Sequence, residues 1–499
     1  MKKPYAVSAA NPFAVEVGMD IMDRGGNAVD AAIAVSFALG VVEPYASGIG
    51  GGGNMLIYPT GRSTPIIYDY RETAPSYVNW KYNVGVPGFI KGMERIANDY
   101  ANFDLGKLIE PSIELAKNGF PINRIMSNQL KTTKYDNMFY LKHFYPNNSP
   151  LENNDILYQK ELANSLKMLS LYGAEYFYQG EIGNRIASLN IGIEQNDLEQ
   201  YEIVIREPIM CNYDMYQIWT APAPVGGCVL IQALKMADIL KLNEYEATSI
   251  EFMTKLGLIL RKIYQLRIRY NGDPEFTCFD ETKFINDSYI KKIVSSIDVS
   301  KIDDELYEYE DYNQTTHFSI VDSDGMAVST TNTISNLFGS GIYVEGFFLN
   351  NQIRNFSKNR SSPNYIKASK RSTGLISPTI ITKNQRPYLI IGSSGGERIS
   401  TMLTCTIIKF IKQGYSLEDA VKENRFFANK NKEIYTEYDL TELEKQKLEG
   451  LGFTHIYHPV PMFYGGVHAL AIEENEVFGA ADPRRGGTWR SSTRTKKII

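Results

Sequence analysis

The sequence predicts a mixed α+β chain, and three stretches carry that prediction. Residues 315–333 read as strand, turn and strand, residues 387–411 as strand, glycine loop and helix, and residues 11–39 as two successive helices. In the first stretch, Thr316, Phe318 and Ile320 alternate with Thr315, His317 and Ser319, the period-two pattern of a strand with one buried face. Asp324-Gly325 then closes a hairpin, and the return strand from Met326 to Thr333 brings Thr331 and Thr333 close to Thr315. In the second, the β-rich run Pro387–Ile391 passes through Gly392-Ser393-Ser394-Gly395-Gly396 into a helix with Ile399, Met402, Leu403, Ile407, Phe410 and Ile411 at helical spacing. In the third, Asn11 caps a helix that Pro12 starts and Gly25-Gly26 ends, with Phe13, Val17 and Ile21 on one stripe. The next helix, Asn27 to about Leu39, is apolar on nearly all sides and is expected to be buried.

Composition narrows the class. The 499 residues suggest about three domains by length alone, although one large sandwich is equally allowed. With 43% hydrophobic and 22% charged residues the chain can bury a substantial core. A formal charge of −5 gives no electrostatic reason to expect nucleic acid or an anionic membrane as a partner. Cys211, Cys228, Cys278 and Cys405 are scattered without a CxxC pair, so neither a disulfide scaffold nor zinc is expected, and no metal or other cofactor is called for. The start, Met1-Lys2-Lys3-Pro4-Tyr5, lacks the apolar core of a secretory signal, and the longest apolar stretch, residues 31–42, is shorter than a membrane span. A cytoplasmic location with no membrane partner is the expectation.

Two segments offer chemistry. Gly48-Ile49-Gly50-Gly51-Gly52-Gly53 satisfies a dinucleotide-type pattern, yet it follows a helix and precedes the strand-like Met55–Tyr58, the reverse of what a nucleotide loop needs. It reads as a close-packed turn. The loop at Gly395-Gly396 has the useful polarity, because unobstructed backbone N–H groups at a helix start can hold a phosphate or an oxyanion. Thr315 reads as a hidden amino terminus: breaking the bond between Gln314 and Thr315 would free an α-amine beside its own hydroxyl, supplying the base that a threonine nucleophile requires. The acidic run over residues 301–314 precedes that bond and is expected to be a hydrated tail that lets Gln314 move away after cleavage. Taken alone, the Thr-rich strands fit a bland hairpin and the glycine loop a plain turn.

Motifs spread along the chain add to this. Thr315-Thr316-His317-Phe318-Ser319-Ile320, Thr333, Asn350-Asn351-Gln352, Ser377-Pro378-Thr379 and Gly392–Gly396 together resemble the small subunit of γ-glutamyltransferases. Gly25–Ala32, Gly50–Ile57, Asp69-Tyr70-Arg71-Glu72-Thr73-Ala74-Pro75, Pro222–Gly227 and Ala481-Asp482-Pro483-Arg484 extend the likeness almost end to end. The resemblance implies a four-layer αββα sandwich of the N-terminal-nucleophile hydrolase type. It also implies cleavage before Thr315 into a large subunit, 1–314, and a small one, 315–499, with room for a higher oligomer of such pairs. Many relatives are exported or membrane-anchored, so the cytoplasmic expectation is a departure.

What the resemblance implies for the site can be stated residue by residue. Thr315 is the nucleophile, Thr333 a second threonine that hydrogen-bonds it, and Gly395 and Gly396 form the oxyanion hole. Arg71 matches the arginine that grips the donor's α-carboxylate, and Gln352 is retained as a polar contact; without the family, an ordinary salt bridge would be the preferred reading of Arg71. His317 is assigned a structural role. Four positions depart from the pattern: Asn355 replaces the acid that binds the donor's α-ammonium, Ser335 stands where asparagine is usual, and Gly374-Leu375 replaces a serine pair. The stretch from Ser357 to Ser377 is also short for a lid-bearing loop. The expected activity is transfer of a γ-glutamyl or related acyl group from a small-molecule or peptide amide such as glutathione to water or an amine. The alternatives are an amidohydrolase for carboxylate-bearing donors that lack the ammonium (glutaryl-type amides or poly-γ-glutamate), an uncleaved scaffold without chemistry and, more distantly, a nucleotide-binding enzyme.

Overall fold

The computed structural model describes residues 3–299 and 314–493. Two antiparallel sheets face one another. The first runs in the order Thr488–Ser491, Ala6–Ala9, Gln314–Val321, Ala327–Ser335, Gly52–Tyr58, Ile66–Asp69 and Val204–Arg206. The second runs Glu476–Ala481, Gly466–Glu473, Arg386–Ser394, Thr379–Lys383, Tyr216–Thr220 and Ile209–Tyr213. Each sheet draws strands from both sides of residue 314, so a cut there would leave both halves stitched into the same sheets.

Helices cover the outer faces. Helices Pro12–Asp23, Ala28–Val42, Phe89–Tyr100 and Leu105–Asn118 share one apolar core with Phe318, Ile320 and Val328 of the first sheet. Gly227–Ile239, Ile250–Tyr270 and Arg398–Lys412 share another with Ile380, Leu389 and Ile391 of the second. Local signals set the first two helices: Asn11 accepts from the Phe13 N–H, and Asn27 and Asp30 form a reciprocal capping box. Such caps contribute about 1 kcal/mol each. Gly25, at φ +95°, follows the end of the first helix as expected, whereas the second continues to Val42 and is buried nearly all round.

The layer between the sheets is polar and tightly bonded. Ser8 Oγ donates to the Ala480 carbonyl at 2.8 Å, Ser319 Oγ to the His468 carbonyl at 3.1 Å, and Ser329 Oγ to the Ile391 carbonyl at 3.0 Å. His317 lies against Gly392, where a Cβ would fall 2.2 Å from its ring. The strand carrying Thr315 is therefore buried on both faces, not one. Alternation survives because one face meets helices and the other meets a second sheet, which demands small or hydrogen-bonded side chains. His317 bonds Thr331 Oγ1 at 2.9 Å and Ser319 Oγ at 3.3 Å, and burial pushes its pKa well below the usual histidine value. It is a neutral inter-sheet spacer.

The glycine-rich segment departs from the expected turn in one respect. Gly52 and Gly53 already belong to the strand Gly52–Tyr58. Close packing is the reason glycine stands there: a Cβ on Gly50 would meet the Phe348 carbonyl oxygen at 2.3 Å, and one on Gly51 the Thr333 oxygen at 2.1 Å. The acidic run, residues 301–313, lies outside the described residues.

Candidate functional site

Thr315 and Thr333 are direct cross-strand partners, one residue from a β-bulge that places Ser335 opposite Gln314. Bulges commonly re-aim side chains beside reaction centres, and Ser335 takes the left-handed φ of +74° to do so. The outcome is a short chain of hydrogen bonds. The Ser335 N–H donates to Thr333 Oγ1 at 2.8 Å, and Thr333 Oγ1 donates to the Gln314 carbonyl oxygen at 2.9 Å. The hydroxyl of Thr333 thus polarises the carbonyl of the very bond that precedes Thr315.

The second sheet supplies the other side. Thr315 is buried, and its Oγ1 accepts from the Gly395 N–H at 3.3 Å. Gly395 has φ +125° and Gly396 φ +58°, and a Cβ on Gly395 would fall 2.8 Å from the Gly465 Cα. Only glycine fits there. The helix Arg398–Lys412 begins just beyond, so Gly395 and Gly396 sit at its positive end rather than inside it. An oxyanion formed beside Thr315 would meet backbone N–H groups and a favourable dipole.

The proposed substrate contacts fall in two groups. Gln352 and Ser335 meet: Ser335 Oγ donates to Gln352 Oε1, and Gln352 Nε2 donates to Ser372 Oγ at 2.8 Å. Asn355 ends the same short helical turn, with its buried Nδ2 lacking a partner. Arg71 is otherwise occupied. Its Nε and Nη2 donate to the two oxygens of Asp69, each at 3.0 Å, and Nη1 donates to the Ser372 carbonyl at 2.8 Å. Arg206 and Arg371 also approach Asp69, and the three guanidinium groups hold its carboxyl far below the ordinary range despite burial. Arg71 does stand in a salt bridge, but a buried one in which a single carboxylate is shared by three arginines rather than an ordinary surface pair.

Several groups at the site carry no sequence signal as strong as the threonines. Glu43, just past the helix Ala28–Val42, accepts from Tyr45 at 3.0 Å and from Thr316 Oγ1 at 2.8 Å, and burial raises its pKa. Arg485 Nη1 donates to Gln314 Oε1 at 2.9 Å. Glu72, adjacent to Arg71, is buried with neither carboxyl oxygen partnered, and burial raises its pKa to about 8. Glu72 and Arg485 lie in or beside the motifs around Arg71 and Arg484, which marks the segments without naming the residues. Among the described residues no cluster of His, Cys, Asp or Glu could hold a metal ion, and no helix is long and apolar enough to cross a membrane.

Comparison with known proteins agrees with this geometry. The family model described as gamma-glutamyltranspeptidase matches residues 14–491. The chain is 41% identical to the capsule biosynthesis protein CapD proenzyme of Bacillus anthracis, over 98% of this chain and 91% of that protein. It is 34% identical to the glutathione hydrolase proenzyme of Bacillus subtilis strain 168, over 97% of this chain and 91% of that one. Among solved structures, cephalosporin acylase from Bacillus halodurans superposes with a TM-score of 0.85 at 23% identity, covering 98% of this chain and 96% of that one. That likeness bears on the fold alone. Helicobacter pylori γ-glutamyltranspeptidase matches with a TM-score of 0.55 at 31% identity, over 59% of this chain and 92% of that one. Two facing antiparallel sheets between helical layers, a paired threonine at a strand start and these relatives lead to one conclusion: the chain belongs to the γ-glutamyltranspeptidase family and is an enzyme of the N-terminal-nucleophile hydrolase type.

Proposed function

We propose that this protein cuts itself between Gln314 and Thr315 and then transfers a γ-glutamyl or related acyl group from an amide donor, glutathione among them, to water or an amine. The observation that carries the reading is the position of Thr315 between the two machines it needs. Thr333 polarises the Gln314 carbonyl from one side, and Gly395 meets the Thr315 hydroxyl from the other. In maturation, Thr315 Oγ attacks the Gln314 carbonyl carbon, the C–N bond breaks as the nitrogen takes a proton, and water hydrolyses the resulting ester. The products are a Gln314 carboxylate and a free Thr315 amine.

In turnover that amine, with a pKa of ~8, accepts the hydroxyl proton as Oγ attacks the donor amide. Gly395 and Gly396 stabilise the tetrahedral oxyanion, and the proton passes to the leaving amine. Water or an acceptor amine then attacks the acyl-threonine ester and regenerates the free hydroxyl.

A second reading shares this chemistry and differs in donor. Asn355, Gln352 and Ser335 offer amides and a hydroxyl where a donor ammonium would want a carboxylate, which favours acyl groups bearing a carboxylate and no ammonium. The test has two parts. Wild type should run as two bands on a denaturing gel and Thr315→Ala as one; a pure wild type that stays single after long incubation sinks both readings. Rates on γ-glutamyl and glutaryl anilides then separate them, with a clear preference for γ-glutamyl eliminating the second.

A further inference from the structure

We propose that Glu43 is a positioning residue for self-cleavage: through the Thr316 hydroxyl it fixes the start of the nucleophile strand, so that Thr315 Oγ keeps its line of attack on the Gln314 carbonyl. The proposal rests on the assignment of Thr315 above and adds a group that lies outside the reacting atoms.

Successive residues of a strand point to opposite faces. Thr315 meets Gly395 on the face toward the second sheet, and Thr316 meets Glu43 on the face toward the helices, where its Oγ1 donates to Glu43 Oε2 at 2.8 Å. Glu43 is itself held. Its N–H donates to the Leu39 carbonyl at 2.8 Å, its carbonyl accepts from the N–H groups of Ala46 and Ser47 at 2.8 and 3.2 Å, and the Tyr45 hydroxyl donates to Oε1 at 3.0 Å. The turn that begins at Glu43 also reaches the paired strand: the Ala46 carbonyl accepts from the Ile334 N–H at 3.2 Å. Ile334 follows Thr333, Thr316 follows Thr315, and the two threonines are cross-strand partners. One short turn, 43–46, therefore grips the residue after each member of the reacting pair and sets their relative position from behind.

Stability alone does not account for an acid in this place. Glu43 is buried at the C-terminal end of the helix Ala28–Val42, where the helix dipole disfavours negative charge and burial disfavours it further. Arg485, whose charge it feels, is bonded to Gln314. Among the described residues the Glu43 side chain is met by two hydroxyls, those of Tyr45 and Thr316, and by no cation. Departures of this kind from local rules concentrate at functional sites. What the site gains is geometry, since a misplacement of about 1 Å between reacting atoms costs on the order of 100-fold in rate.

The experiment follows self-cleavage of freshly purified precursor by intact mass in wild type, Glu43→Leu, Thr316→Val, the double variant and Thr316→Ser, each held well below its unfolding midpoint so that the rate reports geometry and not the folded fraction. Glu43→Leu and Thr316→Val should each cut at least roughly 10-fold more slowly, and Thr316→Ser, which keeps the hydroxyl, within about threefold of wild type. The double variant separates positioning from mere support. With both partners apolar no buried group is stranded between them, so its unfolding midpoint should recover relative to the singles, while its cleavage stays as slow as the slower single because both changes remove one bond. Cleavage of the double variant within about threefold of wild type, or a rate that recovers along with its midpoint, overturns the proposal and leaves the Thr315 reading intact. So does a Thr316→Ser protein as slow as Thr316→Val. A wild type that stays uncut takes down both, and if a single variant does not fold, the double variant decides.

Discussion

Replacing Thr333 by valine keeps the branched shape and deletes one hydroxyl, and that hydroxyl joins two backbone partners. It donates to the Gln314 carbonyl at 2.9 Å and accepts from the Ser335 N–H at 2.8 Å. The first loss acts on rate. Removing one donor from a developing oxyanion costs about 10²–10³-fold, and the lower end suits a neutral hydroxyl, so self-cleavage of Thr333→Val should slow by roughly 100-fold. The second loss acts on stability. A buried N–H left without its acceptor costs about 1–3 kcal/mol, enough to lower the unfolding midpoint without abolishing the fold. Thr333→Ser restores both bonds and should recover most of the cleavage rate. The assay is intact-mass analysis of freshly purified precursor over time, scoring uncut chain against the two fragments. A Thr333→Val protein that cuts within about threefold of wild type would show that the hydroxyl does not act on the scissile carbonyl and would refute the maturation scheme.

Other outcomes follow from the same geometry. Gly395→Ala places a Cβ 2.8 Å from the Gly465 Cα at φ +125°, so the loop must shift and amide hydrolysis should fall by at least about 100-fold; near-normal kcat would remove Gly395 from the oxyanion hole. Glu72, raised by burial from 4.5 to about 8, is neutral in the folded chain and ionised in the unfolded one between those values. The sign is therefore unfavourable to folding: the cost is absent below pH 4.5, grows as pH rises toward 8 and then levels. In an uncleaved Thr315→Ala background, Glu72→Gln should gain stability over the parent as pH rises from 5 to 8, by up to ~4 kcal/mol as an upper bound. Urea unfolding at several pH values reads this, and a difference that does not vary with pH would mean that Glu72 is ionised in the fold. Finally, with the freed α-amine as the proposed base, kcat/KM of mature enzyme should rise with pH and level above about 8, and a profile flat from pH 6 to 9 would point to another base.

Elements with strong local causes are legible in the chain before it folds. Asn11, Pro12 and Asn27 fix helix starts because caps and proline act on the residues beside them. Period-two alternation and Asp324-Gly325 fix the hairpin that sets Thr315 opposite Thr333, and the order of motifs pointed to the family and hence to the nucleophile. The remainder depends on which distant segments meet. That both faces of the Thr315 strand are buried depends on a second sheet whose strands are drawn from residues 209–220 and 379–481, and alternation looks the same over either covering. Whether Arg71 is free or held by Asp69, and whether Arg485 reaches Gln314, turns on contacts between segments far apart in the chain. Charge and hydrogen bonding are settled by distances of a few ångströms, and sequence separation carries no information about those once the chain has folded back on itself.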